Sequence, residues 1–398
     1  MVSLAVAMGI GRFAFTPLLP MMLADGVVNL PQASWLASAN YLGYLIGAVL
    51  CTLHPWIWAR FSGLPRLAYV TLVRAGLVAT AVLTLAMALP LPTVWPLLRF
   101  AAGVASALVF VFTSGWCLSR LARLGRPEMG GMIFVGPGAG IVLSGIFATG
   151  MVAWQWTSAA AWLVFGVLAF ALLAFVWPRL RGADERLSPR SSAVQAGAAP
   201  MAPHGHSEML VLSLAYGLAG FGYIITATFL PVIARAALPG SVWLDLFWPI
   251  FGLGVMAGAV LSTRFGPGRD RRWLLAGCYL VQAFAIVISL FSPSLAGFAL
   301  GSLLLGIPFT AITFFALQEV RRLRPDAAAS FMGLLTALYG AGQVAGPPLA
   351  SALLRRSATA SEGFAWSLGI AAAALVCGAL MYAWLAYRHP DRPESVGR

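Results

Sequence analysis

Three arginines lie inside otherwise apolar segments: Arg12, Arg74 and Arg99. The first occurs in GIGRFAFTPLLP, residues 9–20, and no other charge falls between Val2 and Ala24. At about 1.5 Å per helical residue, Arg12 is predicted roughly halfway through a segment of membrane length. A cation at that depth costs roughly 2.5–3.5 kcal/mol on insertion scales, so it must face a cavity or a partner. No acidic residue lies mid-span to serve as that partner: Asp25, Glu128, Glu208, Asp245 and Glu319 all fall within a few residues of span ends. Two readings of Arg12 stand. Either carbonyls and neutral side chains cap it, or it meets an anion. Arg74 is close enough to the end of its segment for the charged head to snorkel to water.

Apolar segments of this kind dominate the 398-residue chain, which is 60% hydrophobic and 9% charged, with a mean hydropathy of +0.88. A soluble domain with a wetted surface does not reach these values, so the chain is read as an integral membrane protein held in a lipid bilayer. All 25 basic residues are arginine, and the net charge is +13. The charge is confined to short clusters between apolar runs, a pattern of membrane topology and not of nucleic-acid binding. Cys51, Cys117, Cys278 and Cys377 each sit in an apolar run without metal-ligand spacing and read as small core residues, with no disulfide implied. No span clusters the His, Asp, Glu or Cys that catalysis needs, and no nucleotide loop occurs, so neither an enzyme nor a metal or other cofactor is expected. The first segment lacks a basic leader and a small-residue cleavage site, which favours a retained span over a signal peptide.

Apolar runs of about 20 residues between polar or Pro/Gly-rich breaks predict spans at 2–24, 32–53, 66–88, 93–119, 129–150 and 153–177, and again at 208–234, 242–263, 272–291, 294–318, 328–350 and 363–387. The fold class is therefore all-α, with twelve transmembrane helices in two six-helix bundles, 1–177 and 208–387. A polar linker at 178–207, rich in Arg, Ala, Pro and Ser, separates them, and a tail follows at 388–398. The linker's His204 and His206 have no third ligand nearby and are read as solvated. Placing the linker in the cytoplasm puts 19 of the 25 arginines on that side and leaves Arg235, Arg355 and Arg356 outside, so both termini are expected in the cytoplasm. Trp35, Trp56, Trp58, Trp95, Trp154, Trp243 and Trp273 fall at span ends, where interfacial anchoring explains them.

The halves repeat each other. GIG at Gly9–Gly11, followed by Leu19 and Pro20, returns as GFG at Gly220–Gly222, followed by Leu230 and Pro231. ARFSG at 59–63 returns as TRFGP at 263–267. GAG at Gly138–Gly140 returns as GAG at Gly340–Gly342. The offsets of 211, 204 and 202 drift in one direction, as changes in loop length require.

Taken over the whole chain, these features resemble the major facilitator superfamily. GIGRFAFTPLLPMM, NYLGYLIG, GFGYIITATFLP and GQVAGP resemble its YbfB/YjiJ-type branch. The resemblance implies a secondary transporter working by alternating access, a monomer that carries a small organic solute, with protons as a candidate coupling ion. The superfamily's loop after span 2 usually places an acidic residue before its arginine; here Ala59 precedes Arg60 and Thr263 precedes Arg264. RFAAG at 99–103 is similar to an arginine-to-glycine spacing of proton-coupled members, so Arg99 is either a clamp between helices or part of the coupling machinery. GPGAG at 136–140 resembles the core of a glycine-proline motif of exporters, which tilts the expectation toward efflux. Gly138 and Gly340 are expected to pack helices that must slide.

In that architecture spans 1, 4, 7 and 10 line a central cavity flanked by 2, 5, 8 and 11. The resemblance thereby nominates Asn40 and Tyr44, Tyr223 and Thr226, Thr310 and Thr313, Tyr339 and Gln343, together with Trp116 and Arg12, as a polar and aromatic pocket. Each reads equally well as an interhelical hydrogen bond or packing contact. The solute is expected to be anionic, with a neutral or drug-like compound, or a receptor without turnover, as alternatives.

Overall fold

Inside hydrocarbon the backbone must satisfy its own hydrogen bonds, so each long apolar run of this chain becomes a helix. The computed structural model describes residues 1–60, 68–180, 206–238, 240–241, 243–265, 270–324 and 328–390. Most of the expected linker, including His204, the tail beyond Pro390 and much of both repeated loop motifs lie outside the described residues.

In chain order, α1 runs in pieces over Val2–Ala24, α2 over Leu30–Arg60, α3 over Tyr69–Ala86, α4 over Trp95–Arg123, α5 over Val135–Ala153 and α6 over Ser158–Val176. The second set is α7 at His206–Ala237, α8 at Phe247–Ser262, α9 at Arg271–Phe291, α10 at Leu295–Leu323, α11 at Ala328–Arg356 and α12 at Ala360–Arg388. Among the described residues, eleven of these helices are long and apolar enough to cross a membrane. The twelfth, α11, carries Gln343, Pro347 and Pro348 among several glycines, which lower its hydropathy without shortening it. Helices α2, α4 and α11 run past the expected span ends to Arg60, Arg123 and Arg356, because arginine is a good helix former and reaches the interface easily.

Several helix starts are set by side-chain caps. Thr157 accepts from Ala160 N at α6, Asp270 from Arg272 N at α9, Ser294 from Gly297 N at α10 and Thr359 from Glu362 N at α12. At α12 the Glu362 carboxylate in turn accepts from Ala358 N at 3.0 Å.

The helix pairing repeats. Helix α2 packs on α4, α3 on α4 and α6, and α1 on α5 and α6; six helices later, α8 packs on α10, α9 on α10 and α12, and α7 on α11 and α12. Between the two sets, α2 meets α11, α5 meets α8 and α1 meets α7. Large apolar residues such as Leu97, Val167, Phe291 and Leu380 face outward, as expected where the solvent is lipid.

Helix α1 departs from the single helix the sequence suggests. A wide π-helical stretch, Ala5–Ile10, leads into a turn at 11–14 before the α-helix resumes at Phe15. Pro17 supplies a reason: it has no N–H for the Phe13 carbonyl, and its ring clashes with that group in an unbroken helix. The Thr16 N–H takes the Phe13 carbonyl instead, at 3.2 Å. Gly9 lies directly against the backbone of Gly140 on α5, an approach that leaves no room for a side chain.

Candidate functional site

Arg12 occupies the turn that interrupts α1 and is 2% exposed. Its Nη2 donates to Gln343 Oε1 on α11 at 2.7 Å, while Nε has no hydrogen-bond partner. The guanidinium lies 4.0 Å from the ring centre of Tyr44 and 5.1 Å from that of Tyr41, both on α2, and 5.4 Å from that of Phe13. No carboxylate pairs with it among the described residues, so its charge is offset by aromatic faces and one neutral amide.

Gln343 passes the contact onward by donating from Nε2 to the Tyr223 hydroxyl on α7. Tyr223 belongs to a stack of three tyrosines: its ring centre is 5.8 Å from Tyr339 on α11, which lies 4.8 Å from Tyr216 on α7. Tyr216 donates to Thr313 Oγ1 on α10 at 3.1 Å. Phe309 on α10 meets Tyr223 edge-on at 4.8 Å and Phe13 at 6.0 Å. Helices from both halves thus converge on one buried aromatic cluster.

Further bonds cross between the halves beside it. Thr16 donates to the Ala227 carbonyl at 2.8 Å, the hydroxyls of Tyr41 and Thr228 lie 2.8 Å apart, and Ser38 donates to the Val344 carbonyl at 3.1 Å. Arg99 on α4 sits behind the turn. Its Nη1 and Nη2 donate to the Gly11 and Arg12 carbonyls at 3.3 and 3.2 Å, with Phe15 under the guanidinium at 4.8 Å. It clamps α4 to the turn that interrupts α1, and its own carbonyl accepts from Asn40 Nδ2 at 2.9 Å.

The nominated residues therefore separate into groups. Arg12, Tyr44, Tyr223, Tyr339 and Gln343 come together, with Thr313 one step away through Tyr216. Thr226 and Thr310 are buried with hydroxyls that have no hydrogen-bond partner. Asn40 turns to the α4 backbone. Trp116 lies about 25 Å further along α4 than Arg99, at 1.5 Å per residue. There it lines a crevice of about 420 Å³ with Val2, Tyr69, Phe112 and Arg179. Arg60 and Arg264 are exposed at the arginine-rich face. A side chain on Gly138 would meet Met256 and the Gly252 carbonyl of α8 at 2.7 and 2.9 Å, whereas one on Gly340 would meet only the Leu45 side chain of α2, at 3.0 Å.

Two features had no counterpart among the nominated residues. Tyr41, Tyr216, Phe309 and Thr228 complete the buried cluster; the spacing of Tyr41 to Tyr44 and of Tyr216 to Tyr223 is helical and was the available signal. A buried charge cluster also lies at the arginine-rich end of the second half. Arg272 on α9 reaches Glu208 on α7 at 3.5 Å, Asp270 at 3.0 Å and Glu319 on α10 at 3.9 Å, and Glu319 also pairs with Arg322. These arginines serve packing as well as topology.

A family model described as "Uncharacterised MFS-type transporter YbfB" (MFS_4) matches residues 4–383. No curated protein matches the chain. The fold is similar, with a TM-score of 0.65, to a structure described as "Crystal Structure of A Bacterial Homolog to Human Lysosomal Transporter, Spinster, in Inward-facing And Unoccupied Conformation". The two are 13% identical over 97% of this chain and 95% of that one, which speaks to the fold alone.

Proposed function

Because the chain belongs to the YbfB-type MFS_4 family of MFS transporters, we propose that it moves a small organic anion, carboxylate-bearing in its simplest form, by alternating access. One observation carries this reading: Arg12 is a buried guanidinium at the meeting of the halves, with a free Nε donor and no carboxylate partner among the described residues. A desolvated cation costs several kcal/mol unless paired, and a solute carboxylate would supply both the charge and a bidentate match to the fork. In this reading the halves 1–177 and 208–387, joined by the linker 178–207, rock about the site. Gly138 and Gly340 are the close crossings on which they slide, and Arg99 keeps the α1 turn in shape. The arginine-rich face and both termini lie in the cytoplasm of a bacterial inner membrane, by the positive-inside rule. The GPGAG resemblance favours export, and protons are the candidate coupling ion for a monomeric carrier.

A second reading has its own support. The Gln343 bond and the Tyr44 face already cap Arg12 with neutral groups, as a carrier of neutral or drug-like compounds would require. Melting the purified protein with organic acids, amino acids, sugars and drugs separates the two. A ligand at a hundred times its Kd stabilises by about 2.7 kcal/mol. Acids should raise the Tm of the wild type and not of Arg12→Gln. A response to neutral compounds alone would overturn the anionic reading, and flux into proteoliposomes distinguishes a carrier from a receptor.

A further inference from the structure

Resting on the anionic reading of Arg12, we propose that the solute is an aromatic monoanion: one carboxylate attached to a flat ring. The first part follows from the charge the site leaves available. Two guanidiniums lie near the α1 turn: Arg12 faces the tyrosine rings of the site, and Arg99 lies behind the turn against Phe15. Arg99 is committed to the Gly11 and Arg12 carbonyls with Phe15 against it, so turning it toward a ligand would give up two charge-assisted hydrogen bonds and leave two backbone acceptors unpaired. Arg12 alone remains, and one carboxylate neutralises it. A dianion would place its second charge among tyrosine rings, where among the described residues no cation other than the committed Arg99 adjoins it and desolvation is costly.

The second part follows from the walls. Tyr216, Tyr339 and Tyr223 form a stack with interplanar angles of 30° and 24°, running to the hydroxyl that accepts from Gln343. Tyr44, on α2 of the same half as Arg12, presents its face to the guanidinium. An aromatic acid fits both features at once: its carboxylate takes the place of Gln343 Oε1 on Arg12, and its ring packs against Tyr223 and Tyr339. Gln343 then releases Arg12, so binding the solute would itself break the Arg12–Gln343 bond between the halves. An aliphatic acid engages Arg12 without the stacking, which is worth about 2- to 13-fold in affinity in aromatic pairs, before burial of the ring's own apolar area adds more.

The test compares four probes on the wild-type protein in detergent by thermal shift and titration: phenylacetate, its neutral analogue 2-phenylethanol, acetate and succinate. Phenylacetate should bind about tenfold or more tightly than each of the others, and Tyr339→Leu should erase its advantage over acetate. Succinate binding as well as phenylacetate, with Arg12→Gln abolishing both, would overturn the monoanion proposal while leaving an anion carrier. Acetate equal to phenylacetate would overturn the aromatic part. Failure of every acid, or binding of 2-phenylethanol equal to that of phenylacetate, would remove the anionic reading itself and this proposal with it. The wild-type comparison needs no variant to fold.

Discussion

Helices α1 and α7 carry the same signature, a Gly-x-Gly followed by Leu-Pro, yet α1 breaks and α7 runs unbroken from His206 to Ala237. The glycines are therefore not what breaks a helix here. With the repeat offset of 211, Arg12 aligns with Tyr223 and Pro17 with Thr228. Proline removes a helical donor in α1; threonine at the matching place keeps its N–H and spends its hydroxyl on Tyr41 across the interface. The carbonyls that the α1 turn exposes are taken by Arg99, so the break is built from Pro17 and Arg99, both of the first half. Asymmetry at the centre follows: the first half brings the cation with the Tyr41 and Tyr44 faces against it, and the second brings the amide of Gln343 and the tyrosine stack behind that amide.

Installing the α1 device in α7 is the severest way to test that contrast. Thr228→Pro should cost about 3 kcal/mol or more, since a helix interior loses a bond and gains a clash, and it also removes the Tyr41 contact. Melting and expression of the purified variant check this; a Tm equal to wild type would mean that α7 tolerates the same break and that Pro17 does not explain α1.

Removing the support is next in size. Arg99→Met should destabilise by about 3 kcal/mol, from two charge-assisted hydrogen bonds worth roughly 1.5–3 kcal/mol each less partial relaxation. Hydrogen exchange should rise at the amides of residues 9–16 before it rises in α7. Unchanged exchange there would show that Arg99 is not what holds the turn, and would return it to the role of coupling residue.

The glycine crossings should differ by half. Gly138→Leu drives a side chain into the α8 backbone, whereas Gly340→Leu meets a Leu45 side chain that can move. Overpacking of this kind costs about 1–3 kcal/mol, with Gly138→Leu at the upper end and the greater loss of flux. Equal flux in both variants would make the crossings interchangeable.

The helices were legible because hydrocarbon permits almost nothing else for apolar runs of that length, and the repeats were legible because glycine, proline and aromatic residues recur at fixed spacing. Arg12 stood out by its charge. Its partner did not, because Gln343 lies 331 residues away and only the packing of α1 against α7 and α11 brings the two together. Asn40 and Tyr44 share a helical face, but one turn of separation is enough for Asn40 to meet the α4 backbone and Tyr44 the cation. Trp116 shares its helix with Arg99 but not its depth. The Arg272 cluster draws on α7, α9 and α10, and charges at span ends look the same in a sequence whether they bind each other or water.

The account's central claim is that the charge of Arg12 is held for a ligand and is not part of the scaffold. Arg12→Gln and Arg12→Lys, each compared with wild type for unliganded melting and for affinity toward an acid that stabilises the wild type, test it most directly. The prediction is an unliganded Tm near wild type in both, with affinity lowered about 10- to 100-fold in Arg12→Gln, the loss of a charged hydrogen bond. Recovery should be only partial in Arg12→Lys, where a point charge replaces a fork. Normal acid affinity in a folded Arg12→Gln protein, or a collapse of unliganded stability in both variants, would contradict it.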